Sequence, residues 1–393
     1  MNSGTEIAHF IAYTGTAMGG PVRAMAAYVD FLARQGCPVT VYSPWQKADG
    51  ASVRLHDGVR LARSSIPGSG PLRRDGSLWR LARKAPIGLI HSHGLWTDIN
   101  RLAGHLARVR AIPHLLAPCG MLAPGALRRH QWRKLGVLLW FQKRALREAR
   151  CLHAKSTREY EDFRRFGLRN PIAVVANPIA PPRPEDRMSA SAFRQTQQIP
   201  DQAKVLLFLG RLHPVKGLPR LLQAWSRQTD AHPDWVLVLA GHDEAGHGRE
   251  LQALAAELRG RDKIRFTGEL DEAQKWGALD AAALLVLPSD FENFGNSIVE
   301  AMSSGVPVIT TTGTPWKDLP AAGAGWCVEP EEEALSGALR EAFALSDGQR
   351  REMGRRAAGV ARRFSPEQAT ADLLAVYQWM QGCGTKPDCV REN

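Results

Sequence analysis

Several patterns that would announce a metal or a dinucleotide are missing from this chain. No two aspartates stand two residues apart, so a D-x-D clamp for a divalent cation is absent. No G-x-G-x-x-G follows a strand-like run, which removes the fingerprint of dinucleotide sites. The six cysteines (37, 119, 151, 327, 383 and 389) show no metal-ligand spacing, and several lie in apolar runs. Reduced thiols in a cytoplasmic protein are the expectation. No apolar run approaches the ~20 residues that span a bilayer; the best, 135–141, is flanked by Lys134 and Lys143. The first residues carry no basic cluster, and 7–13 reads as a strand rather than a secretory signal. No segment repeats at a fixed period of the kind that builds solenoids.

What the chain does have is alternation. Its 393 residues suffice for two ordinary domains, and a hydrophobic content of 44% suits packed cores rather than disorder. Short β-rich runs at 7–13, 39–43, 89–92, 114–117, 151–154 and 172–176 alternate with helical periods at 22–34, 102–110, 126–149 and 157–166. A proline-rich break at 177–184 reads as a linker. Beyond it the alternation resumes, with strands at 205–209, 235–240, 264–267, 283–287, 306–310 and 325–328. Such alternation calls for parallel sheets wound on both faces. The expected class is α/β, with two doubly wound, Rossmann-like domains at 1–180 and 181–364 facing across a cleft. Ser365-Pro366-Glu367 opens a last helix, 365–381, with serine as N-cap and proline at the first helical position. Residues 382–393 read as a frayed tail.

Charge is unevenly placed. The net +12 arises within 101–170, where 16 basic residues face four acidic ones. Much of the excess lies in 127–147, where Arg128, Arg129, Arg133, Lys134, Lys143, Arg144 and Arg147 interleave with Trp132, Trp140 and leucines. That pattern suits the headgroup region of an anionic membrane or a diphosphate-bearing acceptor. A solvated helix face and a nucleic-acid patch are the alternatives.

The densest chemistry lies in Glu292-Asn293-Phe294-Gly295-Asn296-Ser297-Ile298-Val299-Glu300, which sets two carboxylates eight residues apart around a glycine. A helix starting near Ser297 would aim its first amides out of the carboxyl end of a parallel strand, where α/β sheets bind ligands and a phosphate can accept them. Ser297-x-x-Glu300 also fits a capping box, which would make Glu300 structural. Arg211 and Lys216 follow the strand 205–209. A guanidinium fork and a mobile ammonium can hold a diphosphate without a metal. Gly19 and Gly20 follow the first strand and admit close approach of backbone to a ligand. His93 ends a buried-looking strand, and His91 is read as turned to the opposite face.

In this order these segments resemble the retaining, two-domain glycosyltransferases of family 4, the group 1 transferases of GT-B fold. The resemblance is carried by the E-x7-E stretch, by Gly210-Arg211 with Lys216-Gly217, by Thr14-Gly15-Thr16-Ala17-Met18-Gly19-Gly20 and by His91-Ser92-His93-Gly94-Leu95-Trp96. It covers about residues 7–381. Pro118-Cys119-Gly120-Met121-Leu122 before a basic helix is similar to a subgroup that builds bacterial exopolysaccharide or lipopolysaccharide. The resemblance implies transfer of a hexose from a UDP- or GDP-linked donor to a lipid-linked saccharide. The donor would sit in the second domain and the acceptor in the first, with the last helix crossing back to the first. Glu292, with the backbone of Phe294 and Gly295, would hold hexose hydroxyls, while Asn296, Ser297, Arg211 and Lys216 hold the diphosphate. Glu300 would take the ribose, Gly268 and Leu270 the base, and His93 the region of the anomeric centre. No metal or cofactor beyond the donor substrate is implied. Arg128, Arg129, Arg133, Lys134 and Lys143 would contact membrane or acceptor, placing the enzyme on the inner face of the cell membrane. The chain departs from common members at Cys119, where arginine is frequent, and at Asn177-Pro178, where Asn-Gly is frequent. A sugar-nucleotide 2-epimerase shares this fold and diphosphate site. A non-catalytic nucleic-acid-binding role follows only from the pI near 9.7.

Overall fold

The computed structural model describes residues 6–15, 20–44, 53, 55–64, 75–128, 131–179, 181–243 and 246–392, with backbone alone at 128 and 131–133. The chain divides into two compact units, Met1–Pro178 with Phe364–Asn393, and Ile179–Arg363.

In the first unit, seven strands run parallel: β1 (Glu6–Ile11), β2 (Val39–Ser43), β3 (Val59–Arg63), β4 (Ile87–His93), β5 (His114–Ala117), β6 (Cys151–Ala154) and β7 (Ile172–Val174). Their spatial order is β7-β6-β5-β4-β1-β2-β3. The second unit holds β8 (Lys204–Leu209), β9 (Trp235–Ala240), β10 (Ile264–Gly268), β11 (Leu284–Leu287), β12 (Val308–Thr311) and β13 (Gly325–Val328). They are all parallel, in the order β10-β9-β8-β11-β12-β13. Both sheets therefore share one topology. The chain builds outward on one side, then returns to the middle and builds the other, with the reversal between β1 and β4 and between β8 and β11. Open α/β sheets bind ligands at the carboxyl ends of the strands that flank such a reversal.

The strand sequences explain the burial. Leu-Leu-Val-Leu in β11 and Trp-Val-Leu-Val-Leu-Ala in β9 are apolar throughout because helices cover both faces of a parallel sheet. On one face of the first sheet, Ile7, Ile11, Leu89 and Cys151 pack against Met25, Tyr28 and Leu32 of the helix Gly20–Arg34 and against Leu373, Val376 and Tyr377 of the helix Pro366–Met380. On the other face, Ala8, Phe10 and Ile90 meet Leu78, Trp79, Leu102 and Leu106. The closing helix begins as its sequence dictates: Ser365 accepts from the Gln368 N–H, and Pro366 opens the first turn.

Three features differ from the sequence reading. The composition of 382–393 predicts a frayed tail, but β14 (Val390–Arg391) pairs antiparallel with β7, and Val390 is buried. An open sheet edge and one buried valine hold it. The basic stretch 126–149 is not uniformly α-helical. It runs as Pro124–Arg128, Gln131–Val137, a π turn at Leu138–Gln142, and Lys143–Glu148. The extra residue in the π turn brings Gln142 inside, where its Oε1 accepts from Trp96 N at 3.0 Å. Finally, β3 and the helix Gly76–Lys84 are elements that the sequence reading does not include; β3 buries only Val59 and Ala62 between exposed Arg60, Leu61 and Arg63, whereas the helix buries Leu78, Trp79 and Ala82. Among the described residues, no helix is long and apolar enough to cross a membrane.

Candidate active site

In the second unit, the loops after β8 and β11 are bound to each other. The Asp290 N–H donates to the Val215 carbonyl at 2.8 Å, and Arg220 pairs with Asp290. Lys216 Nζ donates to Glu292 Oε1, which also accepts from Ser289 Oγ at 2.8 Å. Both charged groups are mostly buried, with side chains 12% and 14% exposed. The close approach requires Gly217, whose φ is +66° and whose added Cβ would lie 2.3 Å from the Pro288 carbonyl oxygen. The structure thus brings Lys216 and Glu292 together at the reversal point of the second sheet. Arg211 lies exposed on the same loop.

The helix after β11 runs Asn296–Ser303, and its N-cap is Gly295, at φ +84°. Phe294 packs on Trp316, whose Nε1–H donates to the Phe294 carbonyl at 2.5 Å. Asn296 and Ser297 therefore form the first turn, where a helix offers amides and the positive end of its dipole to an anion. This corrects the capping-box alternative, since Ser297 is the second helical residue rather than the cap. Glu300 is buried, and its Oε1 accepts from Lys275 Nζ at 2.8 Å; Lys275 also reaches Glu272 at 2.7 Å. Nothing in the sequence signals Lys275, which comes from a different helix, Glu272–Ala281. Gly268, at φ +72°, ends β10 at the carboxyl edge of this sheet, and buried Leu270 follows two residues later.

In the first unit, His93 ends β4 beside the reversal point, 3% exposed. His91 is not on the opposite face. Side chains two apart on a strand point the same way, and the two imidazole centroids lie 4.1 Å apart. His9 of β1 and His153 of β6 complete a buried histidine cluster. His93 Nε2 lies 3.0 Å from His9 Nδ1, and His91 Nε2 lies 3.1 Å from His153 Nδ1. Tyr377 Oη lies 2.7 Å from His91 Nδ1. Burial, together with mutual repulsion and the nearby Lys155 ammonium, pushes the His91 and His93 pKa values well below the ordinary range. His9 falls to about 3, mainly from burial, and Lys155 to about 8 for the same reason. The period-2 pattern of His91 and His93 could have been read from sequence; His9 and His153 could not, because only the sheet order makes them neighbours. Cys119, at φ +55°, is held in a loop whose Gly120 N–H donates to buried Glu159 at 2.6 Å.

Gly20 opens the helix after β1, whereas Gly19 lies outside the described residues. So does Arg129, and the side chains of Arg128 and Arg133 are likewise undescribed. Lys134 donates to the Ala126 carbonyl, and Lys143 is exposed.

Two units that each repeat this sheet order in one chain constitute the GT-B fold of glycosyltransferases. Residues 19–178 match the glycosyl transferase 4-like domain, and residues 189–360 match the glycosyl transferases group 1 domain. Together they span most of the chain, which belongs to the group 1, family 4 glycosyltransferases. It is 25% identical over 379 residues to a D-inositol 3-phosphate glycosyltransferase of Xylanimonas cellulosilytica, covering 88% of each chain. Among solved structures, the Anabaena protein HepE in complex with UDP and glucose superposes with a TM-score of 0.72 at 18% identity, over 95% of this chain and 99% of that one. WaaG, a glycosyltransferase of lipopolysaccharide biosynthesis, gives 0.70 at 18%, over 93% and 98%. At such identities the superpositions establish the fold. The chain is a glycosyltransferase.

Proposed function

We propose that this enzyme moves a hexose, with retention of configuration, from a UDP- or GDP-linked donor to a lipid-linked saccharide in bacterial surface polysaccharide synthesis. The observation that carries the reading is the Lys216–Glu292 pair at the reversal point of the second sheet, beside the first turn of the helix Asn296–Ser303.

Breaking the donor's glycosidic bond leaves a nucleoside diphosphate whose charge must be stabilised by a metal or by fixed cations and amides. Arg211, Lys216 and the first turn at Asn296 and Ser297 supply fixed cations and amides, so the chemistry runs without a metal. Before the donor binds, Glu292 neutralises Lys216. Diphosphate binding exchanges one anion for another at Lys216 and frees the carboxylate to accept sugar hydroxyls. A carboxylate held by Lys216 and Ser289 suits that role better than nucleophilic attack. The departing phosphate then takes the acceptor's proton on the same face of the sugar. Glu300 Oε2 takes a ribose hydroxyl, and Gly268 and Leu270 border the base.

The first unit holds the acceptor, with His93 near the reacting sugar. Its basic segment exposes Leu139 (68%) and Trp140 (60%) beside exposed Lys143 and Arg147. An apolar tip among cations supports docking on the anionic inner face of the cell membrane, where a lipid-linked acceptor would be found.

A thermal-shift screen with UDP-glucose and GDP-mannose tests the donor assignment. One of them should raise the melting temperature, since a ligand at a hundred times its Kd stabilises by about 2.7 kcal/mol. Stabilisation by neither, or an undiminished shift in Lys216→Ala, overturns it.

A further inference from the structure

Five side chains buried to 0–3% exposure form a continuous chain of polar contacts ending at His93: His153, His91, Tyr377, His9 and His93 itself. It begins at a group that can only accept. The Val175 carbonyl lies 2.8 Å from His153 Nε2, so that nitrogen carries the proton. Neutral His153 then has a bare Nδ1. Lys155 Nζ lies 3.1 Å from Nδ1 and 3.0 Å from Nε2, nearly equidistant and so in line with neither lone pair, and His91 Nε2 donates to Nδ1 across 3.1 Å. His91 Nδ1 is consequently bare, and the Tyr377 hydroxyl donates to it at 2.7 Å. That uses the only proton of the hydroxyl. Toward His9 Nε2, at 3.4 Å, Tyr377 offers lone pairs alone, so His9 donates. His9 Nδ1 is left bare, and His93 Nε2 donates to it at 3.0 Å. The His9 and His93 rings are within 17° of coplanar, with centroids 5.2 Å apart, so they meet edge to edge along the line of a hydrogen bond.

Neutrality of the imidazoles follows from the surroundings. Lys155 Nζ stands 3.1 Å from His153 Nδ1, and a second cation in this dry cluster would be both desolvated and repelled.

We propose that His153, His91, Tyr377 and His9 are positioning residues: starting from the Val175 carbonyl, they hold His93 as its Nε2–H tautomer and so present Nδ1 as a fixed proton acceptor for a hydroxyl of the bound sugar. The inference rests on the reading of His93 as a group at the reacting sugar. It adds that the closing helix Pro366–Met380, by supplying Tyr377, sets the chemical state of a residue at the far side of the sequence. A metal ion is the competing occupant, because ring nitrogens of His9, His91 and His93 lie within 4.8 Å of one another. Both nitrogens of His91 and both of His9 already have partners in the chain, so a bound ion would break at least one link.

Long-range proton–nitrogen spectra of the full chain labelled with 15N-histidine test this, since bare and protonated ring nitrogens resonate far apart. Single His→Gln variants assign the signals. The expected result at neutral pH is four neutral Nε2–H imidazoles at positions 9, 91, 93 and 153. Tyr377→Phe keeps the buried ring but removes the hydroxyl, and should turn His9 and His93 into tautomer mixtures. With UDP-glucose or GDP-mannose as probe donor, kcat in that variant should fall on the order of tenfold at unchanged donor KM. An Nδ1–H tautomer at His93 in the wild type, a His93 spectrum unaltered in Tyr377→Phe, or stoichiometric zinc in protein purified without added metal overturns the proposal. Absence of turnover with any nucleotide sugar would instead count against the transfer reading, while the spectra still decide the chain.

Discussion

Lys275 Nζ donates to Glu300 Oε1 at 2.8 Å inside the second unit, and both side chains are buried. Glu272, the other partner of Lys275, is half exposed, so Glu300 is the buried counter-charge. Glu300→Gln should therefore destabilise the protein by about 1–3 kcal/mol, read from urea denaturation. Ser297→Ala should stay within about 0.5 kcal/mol, because Gly295 is the cap. Equal losses in both variants would reinstate a capping box. Calorimetric titration with UDP and GDP then isolates the ribose contact: weaker binding in Glu300→Gln supports it, and equal affinity confines Glu300 to the ion pair.

Lys216→Ala should cost roughly 2–4 kcal/mol of transition-state stabilisation, the scale for removing one preorganised charge-stabilising group. Turnover of the probe donor is the measurement, with and without EDTA. A wild-type rate in the variant removes Lys216 from the diphosphate site. Loss of wild-type activity with EDTA, restored by Mg²⁺ or Mn²⁺, would show that fixed cations are not enough.

Gly217→Ala should be severe and Gly268→Ala mild, although both glycines have left-handed backbones. At Gly217 the new Cβ would meet the Pro288 carbonyl oxygen at 2.3 Å, whereas at Gly268 nothing lies within 4 Å. The left-handed conformation alone costs about 1–2 kcal/mol, so Gly268→Ala should lose about that much in chemical denaturation. Gly217→Ala should lose more, and with it the contact between the two loops. Equal losses would mean that the loops can separate freely.

The sequence made the sheet framework readable because parallel strands buried on both faces are short apolar runs. The expected 39–43, 114–117, 151–154, 235–240 and 325–328 coincide with β2, β5, β6, β9 and β13. Lys216 and Glu292 were legible because each follows such a strand. The edge strand β3 was not, since an edge buries too little to leave a pattern. Nor were Lys275 and Tyr377, whose partners lie 25 and 286 residues away and become neighbours only through the fold. The π turn escaped because a basic amphipathic stretch looks alike in either helical winding.

Acid should weaken the first unit well before its carboxylates are protonated. His9, with a folded pKa of about 3, and His114, of about 4, are kept neutral by burial, whereas their unfolded values sit near 6.5. Between these limits the unfolded chain binds more protons, so stability is complete above about pH 6.5 and is lost as pH falls toward the folded values. At pH 5 each such histidine should cost on the order of 2 kcal/mol. Denaturation midpoints at pH 7 and pH 5 measure this, and His114→Gln should flatten the slope. A stability unchanged across that interval would mean that these histidines are charged in the folded protein.

Leu139 and Trp140 give the membrane reading its sharpest test, because both are solvent-exposed on the π turn and an adjacent helix presents Lys143 and Arg147. The Arg101 guanidinium lies 5.0 Å from the Trp140 ring centroid, a cation–π contact that leaves much of the ring open to the outside. The protein should co-sediment with anionic vesicles and not with zwitterionic ones, and about 0.5 M salt should release most of it by screening. Lys143→Glu with Arg147→Glu removes two attractions of about 1 kcal/mol each and replaces them with repulsion. Leu139→Ser with Trp140→Ser removes the apolar anchor while leaving the charge. Both double variants should lose vesicle binding and keep nucleotide binding, since the donor residues belong to the other unit. Loss only in the charge variant would reduce the contact to surface electrostatics, and binding equal to wild type in both would make the segment a solvated face.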